Sequence, residues 1–223
     1  MAVGFRIITG CPKVSPEVVE RFRRLPVANV SDSMHRMSAG GAALRPMHAG
    51  GKLAGAAVTV KTRPGDNLMM HKAFDLAEPG DVVVVDAGGD LTNALIGENA
   101  AAYAESLGLA GVVIYGAIRD SAAIGTRKFP IFAAGITHRG PYKDGPGEIN
   151  VPISINGMVV APGDLMLGDE DGLLCVPRER VEEVYAAALA KHRKDEEDAR
   201  AVVERRVERA WVDATLRRLG CEF

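Results

Sequence analysis

The sequence predicts an α/β fold: strands alternate with helices over its first two thirds, and a charged helical stretch follows. Three observations carry this prediction. "GDVVVVDAGG" (80–89) and "GVVIYGAIRD" (111–120) are short β-branched runs closed by turn residues, the pattern of buried strands. Between them lies "NALIGENAAAYAESLG" (93–108), alanine-rich and closed by Gly108, which reads as a helix with a glycine C-terminal cap. From Arg178 to about Leu219 the chain is helical in pattern and densely charged. The order strand, helix, strand implies an α/β core. Residues 1–178 are expected to form that single domain, and residues 179–223 a C-terminal helical extension.

The remaining elements follow in order. Ser15-Pro16-Glu17 places a hydroxyl cap, a first-turn proline and a first-turn acid together, starting a helix that runs to about Leu25 and stops at Pro26. "VANVSDSMHRM" offers Asn29 or Ser31 as the cap of a second, short helix. "LAGAAVTVKT" (53–62) is small and β-branched, hence a strand. "DNLMMHKAFDLA" carries Leu68, His71, Lys72 and Asp75 at helical spacing. "FPIFAAG" is a further strand. After Gly140 a proline- and glycine-rich loop leads into short strands, with Asn156-Gly157 as a hairpin signal. In the C-terminal segment Val203, Val207 and Trp211 recur every four residues. On one continuous helix they form a narrow apolar stripe, which predicts packing against a neighbouring subunit.

Composition narrows the function classes. The chain has 223 residues, 47% of them hydrophobic, enough for one sizeable core. Lys plus Arg number 27 against 29 Asp plus Glu, so no global field favours nucleic acid or an anionic membrane. No run approaches the roughly 18 apolar residues of a membrane span, and the N-terminus lacks a signal-peptide pattern. Cys11, Cys175 and Cys221 are far apart and without C-x-x-C spacing, which points to reduced thiols and a cytoplasmic location.

Most motifs have a plain structural reading. "DAGGD" is a tight turn, because neither the dinucleotide nor the P-loop fingerprint is present. The five histidines lack metal-ligand spacing, and "GDEDG" fails the calcium-loop pattern. Arg119-Asp120 differs from these. Both follow a buried strand, at the end where α/β proteins bind ligands. A helix beginning near Gly97 would present the backbone N–H groups of Asn99 and Ala100 to an anion. An arginine fork beside those amides makes a carboxylate clamp, while Asp120 and Glu98 would hold a hard cation completed by water. A surface ion pair at a strand end is the alternative reading of the same residues.

The blocks "VANVSDSMHRM", "LAGAAVTVKTRPGDNLMMHKA", "PGDVVVVDAGGD", "GENAAAYAESLGLAGVVIYGAIRD" and "DGPGEINVPISINGMVVAPGDLMLGDEDGLLCVP" resemble the regulator-of-ribonuclease-activity-A-like family. The resemblance spans roughly residues 27–178, its most specific part is the Arg-Asp block, and the family's enzyme branch is the 4-hydroxy-4-methyl-2-oxoglutarate / 4-carboxy-4-hydroxy-2-oxoadipate aldolases. It implies a β/β/α swivelling-type fold assembled as a homotrimer or hexamer. It also implies a class II aldolase that uses a divalent metal (Mg2+ or Mn2+) on a small 2-oxo acid and decarboxylates oxaloacetate as a side activity. By the same resemblance Asp120 is the metal ligand, Arg119 binds pyruvate oxygens and acts catalytically, and Asn99 and Ala100 grip the pyruvate carboxylate. Glu98, the second catalytic residue by this resemblance, stands where these aldolases carry an aspartate, with twenty residues between it and Arg-Asp. A ribonuclease-regulating binding protein of the same fold, without catalysis, is the alternative the family offers.

Overall fold

A long strand organises the sheet. In the computed structural model, which describes residues 3–223, strand β3 (Leu53–Thr62) runs through the centre and is buried at nine of its ten positions. Before it come β1 (Phe5–Ile7), α1 (Pro16–Arg23), α2 (Val27–Ser33) and β2 (Arg45–Pro46). After it come α3 (Leu68–Leu76), β4 (Val82–Asp86), β5 (Ala94–Ile96), α4 (Glu98–Ser106), β6 (Gly111–Ile118), α5 (Ser121–Ile124) and β7 (Ile131–Ile136). The chain continues through β8 (Gly147–Ile149), β9 (Ile153–Ile155), β10 (Met158–Val160), β11 (Leu165–Asp169) and β12 (Gly172–Val176). Two helices end it, α6 (Val181–Val203) and α7 (Ala210–Arg218).

The main sheet has the order β1-β8-β3-β4-β6-β7-β2. Its centre, β3-β4-β6-β7, is parallel, and β2 pairs antiparallel on one edge. The first half of β3 pairs instead with β11, which forms a hairpin with β12, so one strand joins two sheet regions. Both faces of the parallel centre are covered, which is why its strands read as continuous apolar runs. Met70, Phe74 and Ala104 from α3 and α4 pack on one face with Val83, Val85 and Ile114. Ile153, Ile155, Met158 and Val160 of the β9–β10 hairpin cover the other with Val84 and Val113. Mixed α/β architecture and a helical C-terminus are therefore as expected from the sequence.

Local signals held where the expected partner was local. Ser15 caps α1, its Oγ accepting from the Val18 N–H. Asn156 and Gly157, both at positive φ, close the β9–β10 hairpin. Gly108, at φ 72°, follows the end of α4.

Three expectations are corrected, and strand β1 is an addition to them. Asn29 and Ser31 lie inside α2 rather than capping it; Asp169, brought in by β11, accepts from the first N–H at Val27 instead. Ala94–Ile96 is a strand, because it lies along the end of β6, and α4 begins only at Glu98. β1 was missed: three residues alongside β8 carry little local signal. The C-terminal segment is not one helix. α6 stops at Val203 in a Schellman turn, with Arg205 left-handed at φ 56° and the Arg206 N–H reaching the Ala201 carbonyl. No glycine marks that stop. Val207 thus lies between the helices, and Val203, Val207 and Trp211 do not share one helical stripe, although all three are exposed. The start of α6 packs on its own domain, with Val181, Val184 and Ala188 buried beside Phe22 and Val30.

Candidate active site

The site forms at the carboxyl end of β6, where the parallel strands stop. The Arg119 N–H donates to the Ile96 carbonyl at 2.9 Å, and the Thr137 N–H donates to the Ile118 carbonyl at 2.9 Å. β6 is therefore still gripped on both sides as it delivers Arg119. Asp120 then adopts a left-handed conformation, φ 55° and ψ 37°, and its carbonyl accepts from the Ala123 and Ile124 N–H groups. Such a backbone is unfavourable for a residue with a Cβ, by about 1 kcal/mol or more. Here it turns the Asp120 side chain back toward the start of α4.

That helix start is unusually close. The Glu98 N–H donates to Asp120 Oδ2 at 3.0 Å, and Arg119 Nε lies 3.6 Å from the same oxygen. Gly97 makes the approach possible: a Cβ there would overlap Asp120 Oδ2 and come within 2.9 Å of Arg119 Nε. Gly97 also leaves the N-terminus of α4 without a side-chain cap. The N–H groups of Asn99 and Ala100 precede the first complete helical bond, so they face outward as donors at the positive end of the helix dipole.

A cleft of about 310 Å³ opens beside them, lined by Gly97, Asn99, Ala100, Arg119 and Asp120 on one side. Asn67, His71, Tyr103, Pro141 and Lys143 also line it, with Leu95 and Ile96 of β5; the first five are the residues away from the β5–α4 junction. Sequence reasoning missed these first five as site residues. Their only visible signal was the helical spacing of His71; the loop carrying Pro141 and Lys143 reaches the cleft through tertiary contacts. Buried Asp66 supplies part of those contacts, accepting from the N–H groups of Asp144 at 2.7 Å, Gly145 at 2.9 Å and Leu68 at 3.0 Å, with Arg63 at 3.1 Å. Burial alone would raise the Asp66 pKa, but those amides and Arg63 together hold it below the usual carboxylate value. His71 is lowered from the ordinary imidazole value by burial and by the nearby Lys143 charge, against the opposing pull of Asp75.

The structure thus brings Arg119, Asp120, Asn99 and Ala100 to one cleft. Glu98 contributes its backbone there, while its carboxylate turns to Arg127 at 3.5 Å, which also holds Glu105 at 3.0 Å. No group of three or more His, Cys, Asp or Glu able to hold a metal occurs among the described residues. A magnesium-like ion does not need one. It is commonly held by one or two carboxylates plus water and substrate oxygens. Asp120 suits that role, because both of its contacts fall on Oδ2 and leave Oδ1 for another partner. Among the described residues no helix is long and apolar enough to cross a membrane.

Comparison with known proteins places the chain in a family. An inferred 4-hydroxy-4-methyl-2-oxoglutarate aldolase of Halalkalibacterium halodurans is 40% identical over 186 residues, 83% of this chain and 89% of that protein. A 4-hydroxy-4-methyl-2-oxoglutarate aldolase of Thermus thermophilus is 40% identical over 112 residues, 50% of this chain and 68% of that protein. Among solved structures, Streptomyces coelicolor RraAS2, described as an unusual member of the RNase ES inhibitor RraA family, superposes with a TM-score of 0.76. It is 27% identical, over 86% of this chain and 99% of that one. The RraA-like family, described as Aldolase/RraA, matches residues 27–175, and the chain belongs to that family, in its 4-hydroxy-4-methyl-2-oxoglutarate aldolase branch.

Proposed function

We propose that this protein is a divalent-metal-dependent aldolase that cleaves a 4-hydroxy-2-oxo acid to pyruvate and a second oxo acid, and that it decarboxylates oxaloacetate at the same site. The observation that carries the reading is the convergence of the Arg119 guanidinium, the Asp120 carboxylate and the outward amides of Asn99 and Ala100 on one cleft. An ordinary strand-end ion pair requires neither the glycine cradle at Gly97 nor the left-handed Asp120.

In this reading the amides of Asn99 and Ala100 and the Arg119 fork bind the carboxylate of the 2-oxo acid. Asp120 holds the metal, which when bound supplies Lewis acidity to the 2-oxo group. The C4 hydroxyl gives its proton to a water, the C3–C4 bond breaks, and its electron pair passes to C3 as the pyruvate enolate while C4 becomes a carbonyl. Arg119 lies beside the oxygen that gains charge in this step, the placement that stabilises a transition state most. Protonation at C3 completes pyruvate. Glu98 is assigned to hold the proton-accepting water, which requires its half-exposed carboxylate to leave the long Arg127 pair. Loss of carbon dioxide from oxaloacetate leaves the same enolate and uses the same groups.

The assembly is proposed as a homotrimer or hexamer, with the exposed Trp211 and Leu219 of the C-terminal segment against a second copy. Binding to a ribonuclease without catalysis is the rival, favoured by the description of the Streptomyces relative. Assaying a panel of 4-hydroxy-2-oxo acids and oxaloacetate for pyruvate, with and without magnesium or manganese, separates the two. Metal-dependent pyruvate supports the aldolase; no pyruvate from any of them removes it.

A further inference from the structure

Lys143 is the second cation of the cleft, beside Arg119. The chain fastens its backbone on both sides. Before it, the Tyr142 N–H donates to the Gly65 carbonyl at 2.8 Å, and the Tyr142 carbonyl accepts from the Asn67 N–H at 3.0 Å. After it, the N–H groups of Asp144 and Gly145 donate to Oδ2 of the fully buried Asp66 at 2.7 and 2.9 Å. The side chain itself is exposed and has no carboxylate partner among the described residues. The acids of this region are engaged elsewhere. Asp66 and Asp144 face Arg63 at 3.1 and 3.7 Å, Asp75 faces Lys72 at 3.2 Å, and Asp120 faces Arg119 at 3.6 Å. The Lys143 charge nevertheless reaches the cleft wall: burial first, and then that charge, lower the pKa of His71, which lines the same cleft.

The 2-oxo acid end of the proposed substrate spends its carboxylate on Arg119 and the amides of Asn99 and Ala100. An unpaired ammonium held on a separate loop of the same cleft suits a second anion, carried by the far half of the substrate. Lysine binds such a group as a point charge on a flexible stem and needs no planar fork. We propose that Lys143 binds a second substrate carboxylate, the one attached to C4, and so selects 4-hydroxy-2-oxo dicarboxylates over their monocarboxylate counterparts. On cleavage that carboxylate leaves with the C4 fragment as the second oxo acid, and the C4 hydroxyl proton still passes to water. This assignment rests on the aldolase reading and adds the residue that reads the departing half.

The test compares two substrates that differ only in that group: 4-hydroxy-2-oxoglutarate, and 4-hydroxy-2-oxopentanoate, in which a methyl replaces the carboxylate. Both release pyruvate, so one assay with magnesium present reads both. In the wild type, kcat/KM for the dicarboxylate should exceed that for the monocarboxylate by about 10-fold, the lower end for a bond to a charged group because Lys143 is exposed. In Lys143→Met, which keeps the length of the stem, the ratio should fall to within about 2-fold of unity. In Lys143→Arg, which keeps the charge, it should stay near the wild-type value. A wild-type ratio near unity, or a ratio that Lys143→Met leaves unchanged because both substrates suffer equally, overturns the assignment, while pyruvate from either substrate leaves the aldolase reading standing. Wild-type protein that releases pyruvate from neither overturns that reading, and this assignment with it.

Discussion

The N–H of Glu98 donates to Asp120 Oδ2 at 3.0 Å, so the first amide of α4 holds the carboxylate that follows β6. This contact joins two segments separated by more than twenty residues in sequence, and it exists only because Gly97 has no side chain. The outward amides of Asn99 and Ala100 and the Asp120 carboxylate are thereby positioned against each other by backbone.

Gly97→Ala should break that relationship without removing any reacting group. Its methyl must displace Asp120 or Arg119, and a misplacement near 1 Å is enough to lower turnover by about 10²-fold. Thermal unfolding should move little compared with the loss of rate. Full activity in this variant would show that the approach of α4 to Asp120 is unimportant.

Arg119→Lys keeps the charge and loses the planar fork. The expected loss in turnover is on the order of 10²–10³, the scale of one transition-state donor. Steady-state kinetics with oxaloacetate and with a 4-hydroxy-2-oxo acid should show the same loss, since both reactions develop the same enolate. An unchanged kcat would reduce Arg119 to a structural ion pair.

Asp66 links the start of α3 to the loop that carries Lys143. Its folded pKa lies below the unfolded carboxylate value of about 3.9. Its contribution to stability is therefore fully present above about pH 4 and is lost as pH falls through the lower folded value. Urea unfolding from about pH 7 down to about pH 2.5 should show this acid limb in the wild type and a shallower one in Asp66→Asn. At neutral pH the variant should be less stable by about 3 kcal/mol, because Arg63 and three amides lose a charged acceptor. Identical pH profiles would mean that Asp66 carries no linkage.

Much of this arrangement is legible in the sequence because it is decided locally. The cap at Ser15, the turn at Asn156-Gly157 and the apolar runs of β3, β4 and β6 depend on neighbouring residues. Arg119 and Asp120 are legible as a strand-end pair, and Gly97 as the break before a helix. What escapes is set by distant partners. Ala94–Ile96 resembles the helix after it until the edge of β6 is present to pair with it. α2 takes its cap from Asp169, far along the chain. Asn67 and Lys143 meet at one cleft because Asp66 accepts from the loop amides of Asp144 and Gly145 and the Asn67 N–H donates to the Tyr142 carbonyl.

The C-terminal segment divides into two parts that pack differently: the start of α6 is buried, and α7 has no buried residue. Deleting everything after residue 178 would remove Val181, Val184 and Ala188 from their own core, so it should destabilise the domain itself. Ending the chain at Val203 removes α7 with Trp211 and spares that core. The shorter protein should keep its thermal stability and fall to a lower mass in light scattering. An unchanged mass would show that α7 holds no neighbouring copy.

The central claim is metal-dependent carbon–carbon cleavage at Asp120, and pyruvate release tests it most directly. Purified protein stripped with a chelator and given 4-hydroxy-4-methyl-2-oxoglutarate should release no pyruvate above background. Adding magnesium or manganese should restore release in the wild type and leave Asp120→Ala inactive at any metal concentration. Pyruvate release from the stripped wild type, or Asp120→Ala retaining more than about a tenth of wild-type turnover, a loss of less than about 1.4 kcal/mol in transition-state stabilisation, would contradict the account.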